Sequence, residues 1–164
     1  MTDRVFECRC GCVRLRARGA PIVGVTCHCA DCLSANRALQ SMSSSSSTDD
    51  DGGTRAILYR NDRVHLVCGR EHLQQYRLTP DAPTRRVVAQ CCASPMFLDY
   101  EAGFWLSVYR ARTVISDTEI PPKTPGLGFI AKLMQTFVAL GFRRPPLDPM
   151  LQHLDERLLP APQP

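Results

Sequence analysis

Apolar and polar residues alternate strictly from Val13 to Arg18, with Val13, Leu15 and Ala17 set against Arg14, Arg16 and Arg18. A period of two describes a strand with one buried and one solvated face. Gly19 and Pro21 end it. The segment before it, from Phe6, reads as a cysteine-bearing turn that feeds this strand. Strand signals return in short pieces after residue 54. Residues 56–59 are an apolar run closed by a turn at Asn61-Asp62, and Val64, Leu66 and Cys68 then alternate up to Gly69. Tyr76 and Leu78 lead into a turn over residues 79–83, followed by runs at residues 85–89, 96–100 and 104–109. The pattern predicts a mainly β body of short strands with turn punctuation.

Past Ser116 the period changes. Leu127, Ile130, Met134, Phe137 and Val138 recur at three and four residues, which predicts one amphipathic helix over residues 124–141. Thr124 is placed to cap it with Pro125 in the first turn, and Gly141, Arg143-Arg144 and Pro145-Pro146 stop it. Such a helix packs on its own body or on a second copy of the chain, with a membrane-surface role as the lesser alternative, so a homo-oligomer formed through it is an expectation. Residues 43–53 hold five Ser, one Thr, three Asp and two Gly, a low-complexity polar loop. The expected division is a β domain over residues 1–116 and an extension over residues 117–164, made of the helix and a Pro-punctuated tail.

Composition narrows the class. With 164 residues the chain suits one domain plus an appendage. Its 44% hydrophobic and 22% charged residues exclude wholesale disorder, collagen and coiled coil. The formal charge of +4 comes from 18 Arg and two Lys against 16 acidic residues, with no block of like charge to track a phosphate backbone. Nucleic acid is not an expected partner. No stretch reaches the roughly 18 apolar residues that span a bilayer. Residues 1–4 lead into the cysteine-rich segment without the apolar run of a secretory signal, so a cytoplasmic location is expected.

Nine Cys is the outlying count, and it is odd. In a reducing compartment clustered Cys read as metal ligands or catalytic thiols before disulfides. Cys8-Arg9-Cys10-Gly11 and Cys27-His28-Cys29-Ala30-Asp31-Cys32 each let one turn deliver several thiolates to one ion, and Cys91-Cys92 is a third group. Cys8, Cys10, Cys91 and Cys92 could make a closed four-thiolate zinc site, and Cys27, Cys29 and Cys32 an open three-thiolate one. Two filled sites would bring the formal +4 down to about +1. Vicinal residues in a strand point to opposite faces, so one of Cys91 and Cys92 stands as a candidate spare. His28 reads as a flanking residue, a fourth ligand or a proton shuttle, in that order. Cys12 is left over, and Cys68 reads as a buried thiol.

These motifs resemble the glutathione-dependent formaldehyde-activating enzyme family, which also contains the centromere protein V group. The resemblance runs from Cys8-Arg9-Cys10-Gly11 with Val13-Arg14, through Cys27-His28-Cys29 with Cys32, to Arg85-Arg86 ahead of Cys92-Ala93-Ser94-Pro95-Met96-Phe97. It implies a β-tent fold of small antiparallel sheets, a structural zinc joining the first and third motifs, and a catalytic zinc on Cys27, Cys29 and Cys32. The implied activity is that of a carbon-sulfur lyase, an S-(hydroxymethyl)glutathione synthase joining formaldehyde to glutathione. Two departures stand out: Ala89 occupies the place of the family's usual first Cys in the third motif, with Cys91 the candidate substitute, and residues 43–53 replace a segment that is normally apolar and aromatic. Arg85 and Arg86 are candidates for a substrate carboxylate. The rival reading is a non-catalytic binding module with two structural zincs; a weaker third is a metal or redox sensor built on exposed thiolates.

Overall fold

The computed structural model describes residues 3–42, 52–115, 120 and 122–161. The protein is mainly β. A small sheet is built from β1 (Arg4–Glu7), β2 (Arg14–Ala17), β5 (Val64–Cys68) and β10 (Thr113–Ile115), in the antiparallel order β10-β1-β2-β5. A large sheet takes β3 (Val23–Cys27), β4 (Thr54–Arg60), β6 (Leu73–Arg77), β7 (Thr84–Ala89), β8 (Ser94–Tyr100) and β9 (Trp105–Tyr109) at its centre. Its edges are β11 (Pro122–Lys123) on β3 and β12 (Glu156–Leu158) on β6, both parallel to their neighbours. Helices α1 (Ala30–Met42) and α2 (Leu127–Ala139) complete the elements used below.

The sequence patterns follow from what each sheet faces. In β2 the Arg residues are solvated while Leu15 and Ala17 are fully buried, because the small sheet covers the core with one face only. The large sheet is buried on both faces, so its central strands read as continuous apolar runs without alternation. In β4, Ile57 and Tyr59 point into the core between the sheets with Phe6, Leu15 and Val64, whereas Ala56 and Leu58 point the other way, toward α2. In β7, Val87 and Ala89 join the inter-sheet core and Val88 packs under α1 with Ala35, Ala38 and Leu39. Both helices therefore cover the outer face of the large sheet.

Two expectations about helices need correction. Helix α1 falls where no helix was predicted. Its signal is present in the chain: Asp31 sits in the first turn, and Ala35, Ala38 and Leu39 provide a short buried stripe. Helix α2 is real but displaced. Thr124 does not cap it; the N-cap is Gly126, without a side-chain bond, because Pro122–Lys123 pairs with β3 and residues 124–126 must first turn away. Its packed face is Phe129, Leu133, Phe137 and Leu140, so of the five predicted core residues only Phe137 is inward. Leu127, Ile130, Met134 and Val138 are exposed. Gly141 stops the helix as expected, with φ of 62° and its N–H donating to the Val138 carbonyl. Of the predicted polar loop only residues 52 and 53 lie among those described. No helix among the described residues is long and apolar enough to cross a membrane.

Candidate metal centres

Cys8 and Cys10 sit in the turn between β1 and β2. Gly11 takes φ of 77°, and its N–H donates to the Cys8 carbonyl, which folds the chain back and brings both thiols to one side. The opposite wall comes from the tight turn between β7 and β8, which carries Cys91 and Cys92. Because these two residues lie in a turn and not in a strand, their side chains converge, and both sulfurs join the group. The four sulfurs lie within 4.8 Å of one another.

The spacing fits a metal shell. Cys8 to Cys10 is 3.5 Å, Cys8 to Cys91 is 3.9 Å, Cys10 to Cys91 is 3.3 Å and Cys91 to Cys92 is 4.0 Å. A disulfide would need about 2.05 Å, and all nine Cys are free. A tetrahedral ion with sulfurs at about 2.3 Å has edges of about 3.8 Å, close to what is seen. Without a cation the four thiols share protons unequally. The Cys12 backbone N–H, with the neighbouring Cys91 thiol, draws Cys10 down to about 6, while burial pushes Cys91 well up. Unequal sharing of this kind is expected where thiolates crowd together, and a divalent ion relieves it by replacing the protons.

An outer layer orients these ligands. Ser94 is buried; its hydroxyl accepts from the Arg9 N–H at 3.1 Å and from Arg112 at 3.2 Å, and meets Cys92 Sγ at 3.1 Å. Val13 N–H donates to Cys8 Sγ at 3.2 Å. Gly69 lets the neighbouring strand end approach this turn: an added Cβ there would lie 2.3 Å from the Cys12 carbonyl oxygen. Cys12 and Cys68 are both exposed, so the expectation of a buried Cys68 fails; its thiol faces the Cys12 carbonyl at 3.6 Å.

The second group is built where β3 ends and α1 begins. Cys27 closes the strand, Cys29 immediately precedes the helix and accepts the Leu33 N–H on its carbonyl, and Cys32 lies in the first turn. Their sulfurs also lie within 4.8 Å of one another. The positive end of the helix favours thiolate here. Burial works against charge on Cys29, but the Cys32 N–H and the neighbouring thiols outweigh it and lower its pKa; burial pushes Cys32 up to about 12. His28 belongs to neither group. Its ring lies against Gly53, where an added Cβ would come 2.5 Å from Nε2.

The two candidate arginines are already engaged. Arg86 is buried and donates to the Asp31 carbonyl in the first turn of α1 at 3.4 Å. Arg85 points to the opposite face of the sheet and pairs with Asp99 at 2.9 Å. Sequence reasoning missed what lies next to the three thiols: a cavity of about 300 Å³ with Cys27 and Cys32 in its wall, bounded otherwise by residues of β3, β4, β7, β8 and β9 and by Pro125 and Phe129. A larger cavity of about 440 Å³ lies among Asn61, Arg85, Asp99 and Arg144 on the other face, away from either thiol group.

Comparison with known proteins agrees with this geometry. The family described as glutathione-dependent formaldehyde-activating enzyme matches residues 4–124, and the chain belongs to that family. The fold is similar to the crystal structure of a Rhodobacter sphaeroides protein, at 15% identity and a TM-score of 0.50, over 70% of this chain and 90% of that one. No curated protein matches the chain significantly.

Proposed function

We propose that the protein is a zinc-dependent carbon-sulfur lyase that joins a small aldehyde such as formaldehyde to a thiol, reversibly. The observation that carries this reading is the three-thiol group opening on a cavity, in a chain that belongs to a formaldehyde-activating family. Cys27, Cys29 and Cys32 would hold the catalytic ion, and Cys8, Cys10, Cys91 and Cys92 a structural one in a β-tent fold. When bound at three thiolates, zinc supplies a cationic fourth position that keeps a substrate thiolate stable at neutral pH. The reaction forms one carbon-sulfur bond and breaks the carbonyl π bond. The thiol proton ends on the carbonyl oxygen, and no oxidant is needed.

The chain's own residues supply the setting. The N-terminus of α1 and the buried Arg86 guanidinium both place positive potential beside a centre whose three thiolates leave a net negative charge. NMR exchange spectroscopy tests the reading, using formaldehyde with glutathione and, separately, with cyclohexanethiol. Adduct exchange should accelerate for at least one thiol and be lost in Cys29→Ser. No acceleration with either thiol, in protein that retains two zincs, would instead support the binding-module reading.

A further inference from the structure

The cavity beside the three thiols carries no charged side chain among the described residues that line it. Its walls are Leu58, Leu98, Trp105 and Phe129, and its polar lining is hydroxyl. One of those hydroxyls, on Thr54, already accepts from Asn36 Nδ2 at 2.9 Å. Two described charged groups of the neighbouring strands lie elsewhere. Side chains of successive strand residues point to opposite faces, so Leu98 faces the cavity while Asp99 faces away and pairs with Arg85. Arg86 shares the cavity's side of β7 but is turned under α1.

Glutathione brings carboxylates and an ammonium. No charged side chain among the described residues that line this space is placed to pair with them, and a charge drawn into it unpaired costs several kcal/mol or more. The cavity is suited to the opposite kind of guest. A dry apolar cavity of about 150 Å³ takes a benzene ring; the space here, at about 300 Å³, has room for a substituted six-membered ring or a branched alkyl group.

The roof of this space is also distinctive. Pro125 and Phe129 lie beyond residue 124, where the match to the family ends. Helix α2 brings Phe129 against the sheet through Phe137, stacked on Phe104 with centroids 5.2 Å apart, and through Leu133 and Leu140. The substrate cavity is thus completed by a segment outside the matched region.

We infer that the thiol partner of this protein carries an uncharged, apolar body of about one ring in size, which lies between the outer face of the large sheet and α2. The inference rests on the reading of the three-thiol group as a thiol-binding centre, and it narrows the thiol to a class that excludes glutathione. The reaction stays balanced as before: the apolar thiol gives its sulfur to the aldehyde carbon and its proton to the aldehyde oxygen.

Trp105 is the only Trp in the chain and lines the cavity, so its fluorescence reports occupancy without any turnover. The as-purified protein is titrated with cyclohexanol, cyclohexanethiol and glutathione. Cyclohexanol, which has no thiol, tests the cavity alone. Saturable changes are expected for both ring compounds, with cyclohexanethiol at least about tenfold tighter than glutathione. Phe129→Ala should weaken cyclohexanol about tenfold. Ser107→Leu, which fills the cavity from a half-buried strand position, should abolish its binding with zinc content and melting temperature retained. Glutathione binding as tightly as the ring compounds, no Trp105 response to either ring compound, or binding indifferent to Ser107→Leu would each overturn the inference. If cyclohexanol binds as described but neither thiol exchanges with formaldehyde, the reaction fails and the thiol assignment with it, while the cavity's preference for apolar guests stands.

Discussion

At the scale of single residues, Ser94 shows how little of a thiol centre lies in its thiols. Its hydroxyl gathers the Arg9 backbone, the Arg112 guanidinium and the Cys92 sulfur, so one buried oxygen fixes the turn that presents Cys91 and Cys92 to Cys8 and Cys10. Partners that orient metal ligands typically contribute 10–100-fold in affinity. Ser94→Ala should therefore weaken zinc retention at the four-thiol group by about tenfold or more, read by competition with a chromogenic chelator, while the circular dichroism spectrum stays unchanged. The thiols themselves were legible in the sequence, because Cys spacings of one and two residues survive any fold that keeps the turns. That Cys91 groups with Cys8, Cys10 and Cys92 was legible only as a candidate. A turn and a strand send vicinal side chains in different directions, and the backbone alone decides between them. Ser94 stood within the third motif but its role gave no signal, since a buried hydroxyl in a strand looks like any other.

At the scale of elements, α2 is the instructive case. Leu127, Ile130 and Met134 matched a helical period, yet the residues that pack are Phe129, Leu133 and Phe137. The helix is apolar around most of its circumference, so periodicity established a helix and left its rotation open. Phe137→Ala should cost about 1–3 kcal/mol in chemical denaturation, since it removes a stacked, partly buried ring. Ile130→Ala on the exposed side should stay within about 0.5 kcal/mol of the parent. Equal losses would mean that the helix is rotated from the orientation described.

The edge strand β12 was invisible in sequence for a different reason: it is held by charge and backbone pairing more than by its own apolar pattern, and all three of its residues are exposed. Arg77 on β6 pairs with Glu156 on β12 at 2.9 Å and with Glu101 beyond the end of β8. The Arg77 hydrogen bond lowers the Glu101 pKa; at Glu156 burial pulls upward, and Arg77 with Gln75 outweighs it. Both carboxyls titrate lower in the folded protein than in the unfolded chain. The stability they contribute is complete above their ordinary value near 4.5 and is lost as pH falls through the lowered folded values. Melting temperature measured across pH 3 to 6 should fall at the acid end, and Arg77→Gln should flatten that fall. An unchanged slope in Arg77→Gln would remove these pairs from the acid response.

For the whole molecule, the two thiol groups stand in different relations to the architecture. The four-thiol group joins the turn between β1 and β2 of the small sheet to the turn between β7 and β8 of the large one, at the rim of the core they share. The three-thiol group lies on a single strand-to-helix junction, on the outer face. On the proposed reading a metal bound at the first would contribute to folding free energy, whereas one bound at the second would serve chemistry. Cys8→Ser should lower the melting temperature by on the order of 10 °C, and Cys27→Ser by much less, in differential scanning calorimetry. Comparable losses would show that both groups brace the fold. The mainly β class and both cysteine groups could be read from the chain. The two-layer arrangement could not, because strand order depends on contacts between residues far apart in sequence.

That separation in sequence also sets an order of events during synthesis. Cys27, Cys29 and Cys32 leave the ribosome together, within six residues, and can capture an ion as soon as they emerge. Cys8 and Cys91 are 83 residues apart. The first pair of thiols must therefore wait while about eighty further residues are made, exposed to oxidation and to the wrong metals, until the second pair arrives. The centre encoded first in the chain is thus the one completed last, and the yield of correctly metallated protein depends on how well the nascent Cys8-Arg9-Cys10 turn is kept reduced in the interval.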